Sequence, residues 1–192
     1  MSSDPQPDPV AVNHVGITVT DVIEAIEFYR QALGFRCIMG PRLLTPPVDA
    51  AKSPLGARFR RAWQAHLVTA NGVGIELFQF IDPPTGEQPG EIEFWRPGTW
   101  HICVTDADVA RRAARIVAAG GKQWHEPGQF VPGRPYELVY CSDPWGTVIE
   151  VMSHPYAEVF ANWPQPGMTV PTVYVDPATR TELPPAPLPI WA

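Results

Sequence analysis

Two stretches of the chain carry the same arrangement of residues. Residues 12–36 read VNHVGITVTDVIEAIEFYRQALGFR, and residues 99–123 read TWHICVTDADVARRAARIVAAGGKQ. A shift of 87 positions brings identical side chains together: His14 and His101, Thr18 and Thr105, Asp21 and Asp108, Val22 and Val109, Gly34 and Gly121. Several identities at one offset indicate an internal repeat, in which each copy is one structural unit.

Each copy predicts a short strand, a helix of about three turns and a glycine stop. In the first copy, Asp21 followed by Glu24 predicts the helix start, and one apolar face is predicted at Val22, Ile26, Tyr29 and Leu33. Three strand-like stretches follow each helix: Phe35–Met39, Trp63–Thr69 and Val73–Phe80 in the first copy, Gln123–Trp124, Tyr136–Cys141 and Thr147–Met152 in the second. The pattern predicts an α+β fold built from two βαβββ modules.

Proline-rich and turn-forming segments separate these modules from the rest of the chain. The resulting division is a flexible arm (1–10), a first module (11–81) with a hairpin insertion (40–62), a linker (82–97), a second module (98–154) and a proline-rich tail (155–192). The tail contains apolar residues but shows neither helical nor strand periodicity, so wrapped and mobile arrangements both stay open.

Alternate side chains of a strand point to opposite faces of its sheet. In the first strand His14 points away from Val15 and Ile17, which face the helix, and His101 does the same in the repeat. In the last strand of each module Glu76 and Glu150 also point away from the helix side. Each module is therefore expected to present one histidine and one glutamate on its non-helix face.

Simpler interpretations of these residues exist. A single histidine on a strand is usually a surface or hydrogen-bonded core residue, and we interpret His66, His125 and His154 in this way. Glu76 and Glu150 are harder to explain, because burying an unpaired carboxylate costs several kcal/mol. The alternative is that these glutamates lie on edge strands, where their carboxylates stay solvated. Recurrence of the His and Glu in both modules favours a metal site instead, since two imidazoles and two carboxylates suit a divalent ion.

Composition narrows the choice of partners and compartment. The net charge is −6 with no long basic stripe, so nucleic acid and anionic membrane surfaces are not expected partners. No apolar run is long enough to span a membrane, and the start MSSDPQPDPV does not resemble a secretory signal. The three cysteines, Cys37, Cys103 and Cys141, are widely spaced, which fits a reducing compartment and a cytoplasmic location.

Four segments between residues 11 and 154 are similar to the vicinal oxygen chelate superfamily: HVGITVTDVIEAIEFYRQALGF, GVGIELF, WHICVTDADVARRAARIVAAGG and SDPWGTVIEVMS. The resemblance implies two repeated βαβββ modules that form curved mixed sheets around a metal site. The order His14, Glu76, His101, Glu150 matches the ligands of bacterial-type glyoxalase I. Methylmalonyl-CoA epimerase is close, with Gln usually at the position of Glu76.

The resemblance also implies a chemistry. One divalent metal ion (Ni, Co, Zn, Mn or Fe) would support isomerisation, epimerisation or lyase chemistry through proton abstraction alpha to a carbonyl. Glu150 is the first choice of base, and Glu76 is its partner on the opposite side. The ring-cleaving extradiol dioxygenases of the superfamily use His, His and Glu and leave the fourth position open, so Glu76 favours proton chemistry. A ligand-binding or resistance protein on the same fold is the non-enzymatic alternative.

A small-molecule substrate is the expected partner, and a homodimer is an arrangement that the sequence leaves open. Phe78 and Met152 are expected to lie beside the metal ligands on the non-helix face. Arg134 and Tyr136 belong to a Gly/Pro-rich loop, PGRPYE, that could close over a substrate. These four residues are the predicted substrate contacts.

Overall fold

A computed structural model describes residues 10–49, 52–86, 92–160, 174–175 and 182–183. The chain divides into two units, Met1–Glu87 and Gln88–Ala192. The predicted arm up to residue 9, residues 87–91 of the predicted linker and most of the predicted tail lie outside the described residues.

The first unit is a βαβββ module. Its elements are β1 (His14–Thr18), α1 (Val22–Leu33), β2 (Arg36–Leu44), β3 (Arg61–Val68) and β4 (Gly74–Asp82). The strands lie in the order β1-β4-β3-β2, with β1 parallel to β4 and the other neighbours antiparallel. The sheet is therefore mixed, and β4 lies between two hydrogen-bonded neighbours.

Helix α1 is fixed at both ends by the residues that the sequence indicates. The side chain of Asp21 accepts hydrogen bonds from the backbone N–H groups of Ile23 and Glu24, and Gly34 ends the helix at a φ of 72°. The buried face differs slightly from the predicted one and consists of Val22, Ala25, Phe28, Tyr29 and Ala32. Ile26 and Leu33 are half-buried at its margin.

The predicted insertion is shorter than residues 40–62, because β2 continues to Leu44 and β3 begins at Arg61. Gly40 has a φ of 95°, and a Cβ there would lie 2.6 Å from the backbone oxygen of Gln64. Only glycine fits this close approach. The strand register shifts here, between Met39 and Arg42, as in a β-bulge. A Gly-Pro pair that suggests a turn thus sits within an edge strand, where proline is tolerated.

The second unit repeats the module. Its elements are β5 (His101–Thr105), α2 (Val109–Ala118), β6 (Lys122–Gln123), β7 (Gly128–Gln129), β8 (Glu137–Ser142), β9 (Val148–Met152), α3 (Tyr156–Phe160), β10 (Tyr174–Val175) and β11 (Glu182–Leu183). The main sheet has the order β5-β9-β8-β6, with β5 parallel to β9, and β7 pairs with β8. The short strands β10 and β11 pair with each other.

In both units the main core lies between the helix and one face of the sheet. The second unit has a further buried cluster of Val131, Tyr136, Met152 and Val159, against which Phe130, Leu138 and Phe160 pack. Met152 shares its face of β9 with Glu150, so this cluster covers part of the non-helix face. The predicted α+β class with two βαβββ modules is confirmed.

Candidate functional site

The first unit brings His14 and Glu76 together on the non-helix face. The parallel register of β1 and β4 places Gly16 opposite Glu76, and Nε2 of His14 lies 3.5 Å from Oε2 of Glu76. The other ring nitrogen of His14 lies 2.7 Å from Oδ1 of Asn13, which fixes the ring. Opposite His14 stands Gly74, whose missing Cβ would lie 3.0 Å from the Cβ of His14. Glycine therefore makes room for the histidine.

The second unit contains the equivalent pair. Nε2 of His101 lies 3.1 Å from Oε2 of Glu150, and the indole of Trp100 packs on the imidazole with 4.0 Å between ring centroids. The Glu150 side chain is 9% exposed, compared with 23% for Glu76. Each sequence-predicted histidine is thus next to the glutamate predicted for its own module.

Both glutamates lie on interior strands. Glu76 is on β4, between β1 and β3, and Glu150 is on β9, between β5 and β8. The alternative in which an edge strand keeps these carboxylates solvated is therefore excluded. A carboxylate on a half-buried or buried interior strand needs charged or hydrogen-bonding partners to offset its loss of hydration.

His66 belongs to this arrangement, although the sequence interpretation treated it as a surface or hydrogen-bonded core residue outside the site. Its Nδ1 lies 3.4 Å from Oε1 of Glu76, which is its cross-strand partner in the antiparallel pair of β3 and β4. Nε2 of His66 is buried without a hydrogen-bond partner among the described residues. The predicted strands contained both residues, so pairing them in register was the signal that would have found His66.

Tyr140 and Cys103 are the strand neighbours of Glu150. Tyr140 is its antiparallel partner on β8, and Cys103 is its parallel partner on β5. Burial, the Glu150 charge and hydrogen bonding to Glu150 together raise the pKa of Tyr140 to about 12. The same three causes, burial first, raise the pKa of Cys103 to about 12, although that residue keeps exposed surface. Both groups stay protonated near neutral pH and can donate to the carboxylate.

The donor chemistry of each pair fits a divalent ion. Two ligands bonded to one ion at about 2.1 Å, with bond angles of about 90–110°, lie roughly 3.0–3.4 Å apart. The His101–Glu150 separation of 3.1 Å falls in this range, and the His14–Glu76 separation of 3.5 Å is just above it. Among the described residues, no group of three or more His, Cys, Asp or Glu side chains is arranged to hold an ion. Each unit by itself thus supplies a histidine–glutamate pair.

The four predicted substrate contacts differ in accessibility. Phe78 is half-buried on the face that carries Glu76, and its ring stacks on Phe80 with 5.9 Å between centroids. Tyr136 and Met152 are 2% and 3% exposed within the second buried cluster, and Arg134 is also buried. Exposure this low leaves little surface for a ligand. The structure therefore does not support substrate binding by these three residues, which stays a prediction from the sequence.

Solved structures of other proteins share this pair of βαβββ modules. A glyoxalase family protein from Bacillus cereus is 22% identical, with a TM-score of 0.64, and the match covers 78% of this chain and 97% of that one. Glyoxalase I from Zea mays is 20% identical, with a TM-score of 0.51, and the match covers 74% of this chain and 44% of that one. At these identities the similarity establishes a glyoxalase-like fold.

The sequence itself places the chain in a family. A profile of the Glyoxalase/Bleomycin resistance protein/Dioxygenase superfamily matches residues 11–151. The chain belongs to this superfamily, which confirms the resemblance to vicinal oxygen chelate proteins. It is also 27% identical over 169 residues to a 2-epi-5-epi-valiolone epimerase from an Actinomyces species, a match that covers 80% of this chain and 85% of that protein.

No helix in the described part of the chain is long and apolar enough to cross a membrane.

Proposed function

We propose that this protein is a metal-dependent enzyme that moves a proton at a carbon alpha to a carbonyl, with epimerisation or isomerisation as the outcome. The proposed ligands are His14, Glu76, His101 and Glu150, which together bind one divalent ion. The observation that carries the proposal is the recurrence of one histidine–glutamate pair, at 3.5 and 3.1 Å, in both modules. The bound ion would act as a Lewis acid that polarises the carbonyl oxygen of the substrate.

The residues of the chain supply the rest of the chemistry. Glu150 is the proposed base, because its carboxylate is the less exposed of the two and can take a proton at Oε1 or Oε2 in a poorly solvated setting. Glu76, when it carries a proton taken from solvent, can deliver that proton to the opposite side of the carbon, which would invert it. Solvent then takes the proton from Glu150 and supplies a new one to Glu76. His14 and His101 direct Nε2 at the carboxylate of their own unit, and these nitrogens would hold the ion together with the glutamates. Glu150 is itself buried, and Met152 on the same face of β9 belongs to the hydrophobic cluster of the second unit.

The named relative and the proposed ligand set both favour proton transfer. The Actinomyces relative is named an epimerase, and inversion at a carbon next to a carbonyl proceeds by removal and return of a proton. Two carboxylates among four protein ligands also leave less room for oxygen at the ion than a set of two histidines and one carboxylate does. A lyase of the glyoxalase I type uses the same proton transfer and differs in the substrate that is bound.

Solvent deuterium exchange tests this proposal directly. The metal-loaded protein is incubated in heavy water with 2-hydroxy ketones, hemithioacetals, acyl thioesters and 2-epi-5-epi-valiolone, and each substrate is followed by proton NMR. We expect loss of one alpha-proton signal for a true substrate, with no oxygen consumption. The matched control is the protein after dialysis against a chelator, which should lose the exchange.

Each contrary result points to another activity of the superfamily. Oxygen uptake with a catechol by the iron-loaded protein would replace proton transfer with ring cleavage. Tight ligand binding without exchange in any substrate class would identify a binding or resistance protein. Exchange that persists in the chelated protein would show that the ion is not needed for the proton transfer.

A further inference from the structure

Each glutamate of the proposed site has a partner on the neighbouring antiparallel strand, and the two partners occupy equivalent positions in the two modules. His66 pairs with Glu76 across β3 and β4, and Tyr140 pairs with Glu150 across β8 and β9. Directly opposite residues on antiparallel strands point to the same face of the sheet. Both positions carry a side chain that can donate a hydrogen bond to a carboxylate.

In the first unit the two oxygens of Glu76 are divided between two histidines. Oε2 lies 3.5 Å from Nε2 of His14, and Oε1 lies 3.4 Å from Nδ1 of His66. The tautomer of His66 with its proton on Nδ1 gives the carboxylate a donor. The other tautomer would direct a lone pair at the anion and leave a buried N–H without an acceptor, because Nε2 has no partner among the described residues. The surroundings of His66 therefore select the tautomer that donates to Glu76.

In the second unit Tyr140 has the corresponding position and is held from several sides. Its ring contacts the rings of Trp100, His101 and His125, with centroid separations of 5.7, 6.1 and 5.9 Å. Its backbone N–H donates to Nε2 of His125. Packing of this kind fixes the phenol above the strand, so that its hydroxyl group can be directed at Glu150.

We propose that His66 and Tyr140 are positioning residues, each of which donates a hydrogen bond to the glutamate opposite it and thereby orients that carboxylate toward the ion. The inference rests on the proposed function, since it concerns the same site. Hydrogen bonds to ligating carboxylates fix their orientation, and loss of such outer partners typically weakens metal affinity or activity by about 10–100-fold. The donor differs between the units: an imidazole N–H donates to Glu76, and a phenol O–H donates to Glu150.

Conservative substitutions can separate positioning from packing. Asn at position 66 places an N–H near the position of Nδ1, whereas Gln places one near that of Nε2. Co²⁺ is the probe, and its dissociation constant is measured by competition with a chromophoric chelator. We expect His66→Gln and Tyr140→Phe to bind Co²⁺ about 10–100-fold more weakly than wild type, and His66→Asn to recover most of the affinity.

Tyr156→Phe is the matched control, because it removes the hydroxyl group of an exposed tyrosine outside the site and should leave Co²⁺ affinity unchanged. The absorption bands of bound Co²⁺ give a second measurement, and they should shift in Tyr140→Phe because the Glu150 carboxylate is reoriented. Circular dichroism checks that each variant is folded. If Tyr140→Phe does not fold, the comparison of His66→Asn with His66→Gln tests the inference without it.

The outcomes distinguish this inference from the proposed function. Wild-type affinity and unchanged spectra in His66→Gln and Tyr140→Phe, with Co²⁺ bound normally by the wild type, would overturn the positioning roles and leave the metal site standing. Equal losses in His66→Asn and His66→Gln would overturn the role of the Nδ1 hydrogen bond. A wild-type protein that binds no Co²⁺ would overturn the proposed function and the inference with it.

Discussion

Replacing Glu150 by glutamine tests the proposed base with the smallest change in structure. Glutamine has nearly the same volume, so no cavity forms in β9, whose five residues are all buried. The amide oxygen can still bind an ion or accept a hydrogen bond from Tyr140, but the amide does not accept a proton near neutral pH. Glu150→Gln therefore removes proton transfer while it keeps the packing.

The expected loss follows from the contribution of general acid–base catalysis. That contribution is about 10²–10⁴-fold in rate, which corresponds to about 3–5 kcal/mol of activation free energy. The assay measures the initial rate of deuterium incorporation into the substrate at saturating concentration, with the wild type and the variant loaded with the same ion. Metal content and circular dichroism are measured on the same samples, so that lost ion or lost fold is not counted as lost catalysis.

Glu137→Gln is the control, because Glu137 is an exposed carboxylate at the start of β8 and should exchange deuterium at the wild-type rate. If Glu150→Gln keeps its ion and exchanges at the wild-type rate, Glu150 is not the base, and the reasoning from its low exposure fails.

Two predictions concern the framework of the second unit. Gly121→Ala should lower the free energy of unfolding by about 1–3 kcal/mol, because a Cβ would lie 2.5 Å from the backbone oxygen of Ser142 and 2.7 Å from Cγ2 of Ile116. Urea denaturation measures this change. Gly86→Ala is the control, because a Cβ at Gly86 meets no atom within 4 Å, and its effect should stay within about 0.5 kcal/mol. Burial alone would raise the pKa of Asp106, but the Asp108 N–H and the guanidinium groups of Arg112 and Arg111 outweigh it and lower this pKa. Its contribution to stability is thus present above the unfolded pKa of about 4 and is lost as the pH falls through the lowered value. Asp106→Asn should lower the free energy of unfolding by about 1.5–3 kcal/mol at pH 7 and by progressively less below pH 4. An equal loss at pH 7 and below pH 4 would contradict this role of Asp106.

The repeat made the fold predictable, because each copy contained its own start and stop signals. Asp21 and Gly34 occupy the ends of α1 as expected, and alternation along β1 and β4 placed His14 and Glu76 on one face. These features depend on local geometry, which a sequence encodes directly.

Features that depend on pairing between strands were harder to predict. The role of His66 follows from its register with Glu76, and register is set by the whole sheet. The burial of Tyr136 follows from α3, whose helical turn the tail sequence did not reveal. Gly40 and Pro41 resemble a turn in isolation, yet the close approach of β3 turns them into a bulge within β2. In each case a distant segment decided the local structure.

Metal content shows whether one ion is held jointly by ligands from both modules, as we propose. Elemental analysis is carried out on wild type, His14→Ala and His101→Ala after dialysis against a mild chelator, with His154→Ala as the control. We expect one divalent ion per chain in wild type and control, and loss of the ion in both other variants. Full occupancy in both would show that the site is misassigned, and loss in only one would show that a single module binds the ion by itself.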